Sequence, residues 1–296
     1  MQTVLDAGGP IADELVNELH RNYTTDIRLV SRKPSHVNDT DELVAADLTD
    51  AEATSRAVAG SQIAYLTVGL PLDSGLWERR FPVIMGNVID ACAEHGTKLV
   101  FFDNTYMYPG TSAPQTESTA FAPGGRKGRV RGELATMLLA AMRAGRVQGL
   151  IGRAPEFYGP GSTKSYTNSL VFDRIRAGKR PFVPVNAHTE RSLIWTPDAS
   201  RALALLGKHP GCLRPDVAPT GRPEPAVLRP DHRDRRRGHR PQDRLHGADR
   251  VGPPITPRFH RRYDVGVERY GAALLMEPKG RRRSNGILPA QSSARA

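Results

Sequence analysis

Val4-Leu5-Asp6-Ala7-Gly8-Gly9-Pro10-Ile11-Ala12-Asp13-Glu14-Leu15 runs from a short apolar strand through a glycine turn into an amphipathic helix. A helix N-terminus that follows such a turn leaves backbone N–H groups without intrahelical partners and carries the positive end of the helix dipole. It therefore suits a phosphate group. The stretch predicts an α/β chain whose first connection is a ligand-binding loop.

Outward from this start, strand-like and helix-like segments alternate to about residue 206. Strands are expected at Thr3–Leu5, Asp26–Val30, Val44–Asp47, Ile63–Val68, Lys98–Phe102 and Val147–Ile151. Helices are expected at Ile11–His20, Thr49–Ala59, Arg79–His95 and Gly132–Ala144. Continuous apolar runs such as Ile63–Val68 fit strands buried on both faces. Alternation of this kind implies a doubly wound parallel sheet of the Rossmann type with right-handed crossovers. The expected divisions are a dinucleotide domain at 1–155, a partial substrate lobe at 156–207 and an Arg/Pro-rich tail at 208–296.

Charge divides the chain sharply. Residues 1–210 carry 23 Lys+Arg against 22 Asp+Glu, and residues 211–296 carry 19 against 9, so the net +11 belongs to the tail. Eighteen of those 19 cations are arginine, and Leu, Ile, Val and Phe supply 14 of the 86 tail residues. That apolar share is below the ~20% under which charged chains tend to stay unfolded. The tail admits three readings: a nucleic-acid arm, a solvated extension, or a shifted reading frame. Composition favours the last, because Arg, Pro, Gly, Ala and His dominate, lysine is almost absent, and periodicity collapses within a few residues. Nucleic acid is accordingly disfavoured as a partner.

No apolar run reaches the ~18 residues of a membrane span, and the first residues lack a signal-peptide pattern. Two cysteines, Cys92 and Cys212, make no disulfide framework. A cytoplasmic, soluble protein is expected. Lone histidines such as His20, His95 and His188 have no partner at metal-ligand spacing, so no metal site is expected.

Several ordered motifs between residues 3 and 207 carry a family resemblance: the turn Asp6–Ala12, Ala46-Asp47-Leu48-Thr49-Asp50, Leu66-Thr67-Val68-Gly69, the run Phe101–Tyr108, Gly152–Gly161 with its Arg153…Tyr158-Gly159-Pro160-Gly161, and Leu193–Ala202. Together they resemble the extended short-chain dehydrogenase/reductases, specifically the NAD(P)-dependent epimerase/dehydratase branch. The resemblance implies that Ala7, Gly8, Gly9, Pro10 and Ile11 hold a diphosphate. It further implies that Asp47 and Leu48 flank the adenine, and that Thr67, Val68 and Gly69 lie beside the nicotinamide-side ribose. Ser31 and Arg32 follow the second strand, where a basic residue suits a 2′-phosphate, so NADP is preferred over NAD. Asp6 replaces the first glycine of the family turn, putting a carboxylate near the diphosphate.

For catalysis, the resemblance implies a Tyr-x-x-x-Lys pair and a hydroxyl on the fifth strand's end. The Glu117…Pro123…Glu133 frame puts Lys127 and Arg131 at the pair's two positions, and Asn104 and Thr105 in the hydroxyl region. Tyr106, Tyr108 and Thr105 are alternative groups on the fifth-strand loop, with Tyr108 taken as the phenol. The implied function is an NAD(P)-dependent oxidoreductase or epimerase-like protein acting on a small carbonyl, hydroxyl or sugar-nucleotide substrate. A homodimer is compatible with that function. The alternative is a non-catalytic NAD(P)-binding sensor, which has no use for a Tyr–Lys pair.

Overall fold

The computed structural model describes residues 1–208 apart from 112, 114, 161–162, 164 and 184–191, together with the backbone of 263–268 and 271–278. Six strands form one parallel sheet in the order β3-β2-β1-β4-β5-β6, the doubly wound Rossmann arrangement. They are β1 (Gln2–Leu5), β2 (Ile27–Ser31), β3 (Glu42–Ala45), β4 (Ile63–Leu66), β5 (Lys98–Asp103) and β6 (Gly149–Arg153). The order reverses between β1 and β4, and ligands of open α/β sheets bind outside the strands' carboxyl ends at such a reversal.

Strand residues alternate between two apolar layers. Leu5, Val30, Leu66, Phe101 and Ile151 face helices α2 (Ala51–Val58), α3 (Ser74–His95) and α4 (Arg126–Arg143). Val4, Leu29, Tyr65, Val100 and Leu150 face α1 (Pro10–Asn22), whose Ala12, Leu15, Val16 and Leu19 recur at helical spacing. A short π-helical turn at Asn168–Phe172 runs into α5 (Asp173–Arg176), and α6 (Thr196–Lys208) completes the α1 layer. The expected boundary near 155 thus separates segments that share one core, since Ala199, Leu203, Ala204 and Leu206 pack with the α1 side. Two small strands, β7 (Glu156–Tyr158) and β8 (Leu193–Trp195), pair in parallel and carry the lobe.

Two helices start earlier than their sequence suggests. Pro82 reads as a first-turn proline, a helix-start signal, yet α3 begins at Ser74. There the Asp73 carboxylate caps the Leu76 N–H, and Trp77 and Phe81 are buried before the proline. The next helix is expected from Gly132, yet Gly128 and Gly132 both lie inside α4, because the helix runs tight under the fifth-strand loop. A Cβ on Gly128 would stand 2.4 Å from the Tyr106 carbonyl oxygen. β3 ends at Ala45, two residues short of expectation, which leaves Asp47 in a turn. In the tail, where no strand period is evident in the sequence, β9 (Tyr263–Glu268) and β10 (Gly271–Pro278) pair as an antiparallel hairpin. The remaining expectations for the tail fall outside the described residues.

Candidate functional site

The β1–α1 turn and the end of β4 flank the sheet's reversal. Asp6 is the one non-glycine residue with positive φ among those described, at 68°, and Gly8 follows at 109°. The Asp6 and Ala7 N–H groups both donate to the Val30 carbonyl, at 2.8 and 3.0 Å, which anchors the turn to β2. Gly9 is the extended N-cap of α1 and Pro10 its first residue, where a missing N–H costs nothing. A methyl on Gly8, Gly9 or Gly69 would meet no atom within 4 Å, so the groove above this backbone is open. Thr67 closes the floor by donating to the Leu5 carbonyl from both its N–H (3.2 Å) and its hydroxyl (3.1 Å). Val68 beside it is buried.

The turn carries two carboxylates of its own. Asp6 Oδ2 accepts from the Gly69 N–H at 3.1 Å. Burial lifts its carboxyl above the usual range, against the opposing pull of that bond and of the Arg32 guanidinium. Asp13, raised by burial and by Glu14, is bonded to the Gly8 backbone.

On the β2 side, Ser31 is buried at the end of the strand and Arg32 is exposed beside it. Asp47 Oδ1 accepts from the Thr49 N–H (2.9 Å) and hydroxyl (2.8 Å); these bonds, joined by Arg80 and Arg32, hold its carboxyl below the usual range. Leu48 is buried, with its carbonyl accepting from Asn87 Nδ2 at 3.0 Å. Ile11 offers its carbonyl to the Ser200 hydroxyl at 3.0 Å.

A cavity of about 390 Å³ opens between the fifth-strand loop, the start of α4 and the lobe, lined by Tyr106, Arg126, Lys127, Gly128, Glu156 and Tyr166 with Leu72 and Ser74. Tyr106 stacks on Trp77 at 6.4 Å, and Lys127 Nζ lies 5.5 Å from the centroid of the same indole. Trp77 is fixed in turn by its Nε1–H donating to the Pro71 carbonyl at 2.7 Å. Arg126 is engaged by Glu78 in a two-pronged pair. Glu156 Oε1 accepts from the Thr167 N–H at 3.1 Å. Burial, with Glu156 and Tyr166 adding to it, raises the Tyr106 phenol above its ordinary value.

The sequence candidates divide between this cavity and the layer beneath it. Lys127 lines the cavity. Asn104 and Thr105 shape the loop: Asn104 Oδ1 accepts from the Tyr106 N–H at 3.0 Å and the Thr105 carbonyl from the Tyr108 N–H at 3.2 Å. Arg131 is buried, with Nε donating to Asp103 Oδ1 at 2.6 Å and its guanidinium between the Phe81 and Phe101 rings. Tyr108 is also buried, its hydroxyl 2.9 Å from Arg153 Nη1. Tyr106 is therefore the phenol of the fifth-strand loop that reaches the cavity. Glu156 sits inside the Gly152–Gly161 motif and was readable there as a motif position. Tyr166 has no local signal, because the lobe's folding brings it in. Among the described residues no group of three or more His, Cys, Asp or Glu stands together. No described helix is long and apolar enough to cross a membrane. Burial pushes the Cys92 thiol up to about 12.

The model of the NAD dependent epimerase/dehydratase family matches residues 4–215. A search of curated proteins finds no match. Solved structures with this fold include the UDP-N-acetylglucosamine 4-epimerase of Methanobrevibacter ruminantium, described in complex with UDP-N-acetylmuramic acid. It is 15% identical with a TM-score of 0.60, covering 70% of this chain and 72% of its own. The dTDP-glucose 4,6-dehydratase of Streptomyces venezuelae, with NAD bound, is 14% identical at TM-score 0.60, covering 69% and 71%. The UDP-glucose 4-epimerase of Thermus thermophilus, complexed with NAD, is 16% identical at TM-score 0.59, covering 71% and 75%.

Proposed function

The chain belongs to the NAD dependent epimerase/dehydratase family, and on that premise we propose that it is an NAD(P)-dependent oxidoreductase or epimerase. Its substrate is a small carbonyl or hydroxyl compound, with sugar nucleotides the favoured class because the structures it resembles bind them. The observation that carries this reading is the open backbone of Gly8, Gly9 and Gly69 at the reversal point of the sheet. A dinucleotide fits there: Ala7, Gly8, Gly9, Pro10 and Ile11 would cradle its diphosphate, Asp47 and Leu48 its adenosine, and Thr67, Val68 and Gly69 the other ribose. Ser31 and Arg32 would take a 2′-phosphate, which favours NADP, since a guanidinium forks onto phosphate oxygens. The chemistry a bound nicotinamide supplies is hydride transfer.

The chain's own part is to bind, orient and manage one proton. Tyr106, with its raised phenol, stays protonated through neutral pH and donates to a substrate oxygen. The Lys127 ammonium steadies negative charge on that oxygen, and Asn104 and Thr105 set the loop that aims Tyr106. Tyr108, Arg131, Asp103 and Arg153 hold the floor. NADPH and NADH should each be titrated by fluorescence against the purified chain, followed by turnover with a panel of UDP- and dTDP-sugars and small carbonyls. Saturable binding with NADPH tighter is expected, with turnover of at least one panel member. Absence of saturable binding by both nucleotides rejects the proposal.

A non-catalytic dinucleotide sensor is the second reading. It is favoured by Arg131, which fills the family's lysine position with a side chain committed to Asp103. Binding without turnover in either direction would select it.

A further inference from the structure

The phosphate-facing turn contains an anion of its own. Asp6 holds a left-handed backbone conformation, which asparagine and aspartate tolerate better than other non-glycine residues. That conformation directs its carboxylate across the reversal point onto the Gly69 N–H at 3.1 Å. The groups around it are unevenly matched. The end of β2 brings one cation, Arg32, which also faces Asp47 beyond it. The first turn of α1 brings a second carboxylate, Asp13, bonded to the Gly8 backbone, with Glu14 beside it. The end of β4 brings Gly69 and Thr67, whose hydroxyl is committed to the Leu5 carbonyl. Two backbone donors at the opening of the turn are therefore already satisfied from within.

We propose that Asp6 is a specificity-determining residue of this site, a built-in competitor for anions whose carboxylate must take up one proton when a pyridine-dinucleotide diphosphate binds over the turn. The proposal rests on the cofactor reading given above. A diphosphate brings two negative charges to a turn that already holds Asp6 and Asp13, of which Asp6 alone faces a guanidinium, so the neutral acid at position 6 is the form that tolerates it. Burial of the carboxyl already favours that form. The bound complex then holds the Asp6 proton to higher pH than the free protein does. Affinity falls as pH rises between the two values, by up to about tenfold per unit for one linked proton. A ligand that lacks the diphosphate escapes this linkage.

The test is titration calorimetry of the full chain with NAD⁺ between about pH 5.5 and 8, in two buffers of different ionisation enthalpy, so that proton uptake is read directly. NAD⁺ is preferred to NADP⁺ because a phosphate monoester titrates near pH ~6. Adenosine serves as the uncharged control. The expected result is uptake approaching one proton, a Kd that rises with pH, and loss of both effects in Asp6→Asn, which retains an acceptor for Gly69 and tolerates the same φ. Adenosine should show neither effect in either protein. PH-independent NAD⁺ binding by the wild type, or uptake that persists unchanged in Asp6→Asn, overturns the proposal and leaves the cofactor reading standing. Failure of both proteins to bind NAD⁺, NADH and NADPH at every pH overturns the cofactor reading and the proposal together.

Discussion

Arg131 Nε donates to Asp103 Oδ1 at 2.6 Å in a layer sealed from solvent, with Arg153 Nε 4.0 Å from the other carboxylate oxygen. One buried carboxylate thus answers two buried guanidiniums. Removing it should be worse than removing either cation, because two uncompensated charges would remain. Breaking a buried pair costs about 3–5 kcal/mol. Asp103→Asn should fall in that range by urea denaturation, and Arg131→Met should cost clearly less, since Arg153 remains to face Asp103.

Tyr106 is 42% exposed and borders the cavity, whereas Tyr108 is 4% exposed beneath it. If Tyr106 donates the proton, Tyr106→Phe should lower kcat by about 10²–10⁴ and leave the dinucleotide Kd unchanged. Its raised phenol also sets the pH dependence. Reduction should be flat through neutrality, and oxidation, which needs the phenolate, should climb with pH all the way up to the phenol's raised value. Tyr108→Phe should cost stability by way of Arg153 and spare kcat in relative terms.

A Cβ on Gly128 would stand 2.4 Å from the Tyr106 carbonyl oxygen and 2.9 Å from Pro123 Cβ. Both neighbours are stiff, so Gly128→Ala should behave as overpacking and cost about 1–3 kcal/mol. It should also displace the Tyr106 loop. Thermal melts read the first effect, and quenching of the Trp77 fluorescence, whose ring is stacked on Tyr106, reads the second.

Asp6 should set a pH dependence of stability opposite to that of an ion-paired carboxylate. Its folded-state value lies above the ordinary 3.8, chiefly through burial. The native chain therefore holds more protons than the unfolded chain between those two values, and its stability declines as pH rises through that window. Asp6→Asn removes the titration. The variant should be more stable than wild type at pH ~7, with the gap closing toward pH ~4; urea midpoints at several pH values measure it.

Arg32 faces both Asp6 and Asp47 beside the end of β2. Arg32→Ala should weaken NADPH by about 10- to 100-fold, the loss of a charge-assisted phosphate contact worth about 1.5–3 kcal/mol, and leave NADH within a few-fold. Parallel titrations with the two nucleotides give the comparison.

The sheet was legible because each strand is a short apolar run and each turn carries its own glycine, proline or capping aspartate. Boundaries failed where one residue served two purposes. Pro82 signals a helix start and Gly128 favours no helix, yet tertiary packing keeps both well inside helices. The turns at the sheet's reversal were readable residue by residue, because local sequence encodes such backbone geometry. The cavity was not. Lys127 and Tyr106 are neighbours only once α4 docks under the fifth-strand loop, and Tyr166 comes from a lobe whose placement no periodicity reports. Arg131 shows the limit most clearly: the motif frame gives its position, but the Asp103 that draws it inward lies 28 residues away.

The Ser200 hydroxyl on the Ile11 carbonyl joins residues 189 positions apart. Ile11 belongs to the opening turn of α1, and Ser200 to the helix that leads directly out of β8. The first and last helices of the described residues are thus latched at the β1–α1 turn, so tilting of one would pull on the other. Events at the lobe have a mechanical route to the turn at the sheet's reversal, and a chain cut short of that helix would lose the latch along with the layer it closes.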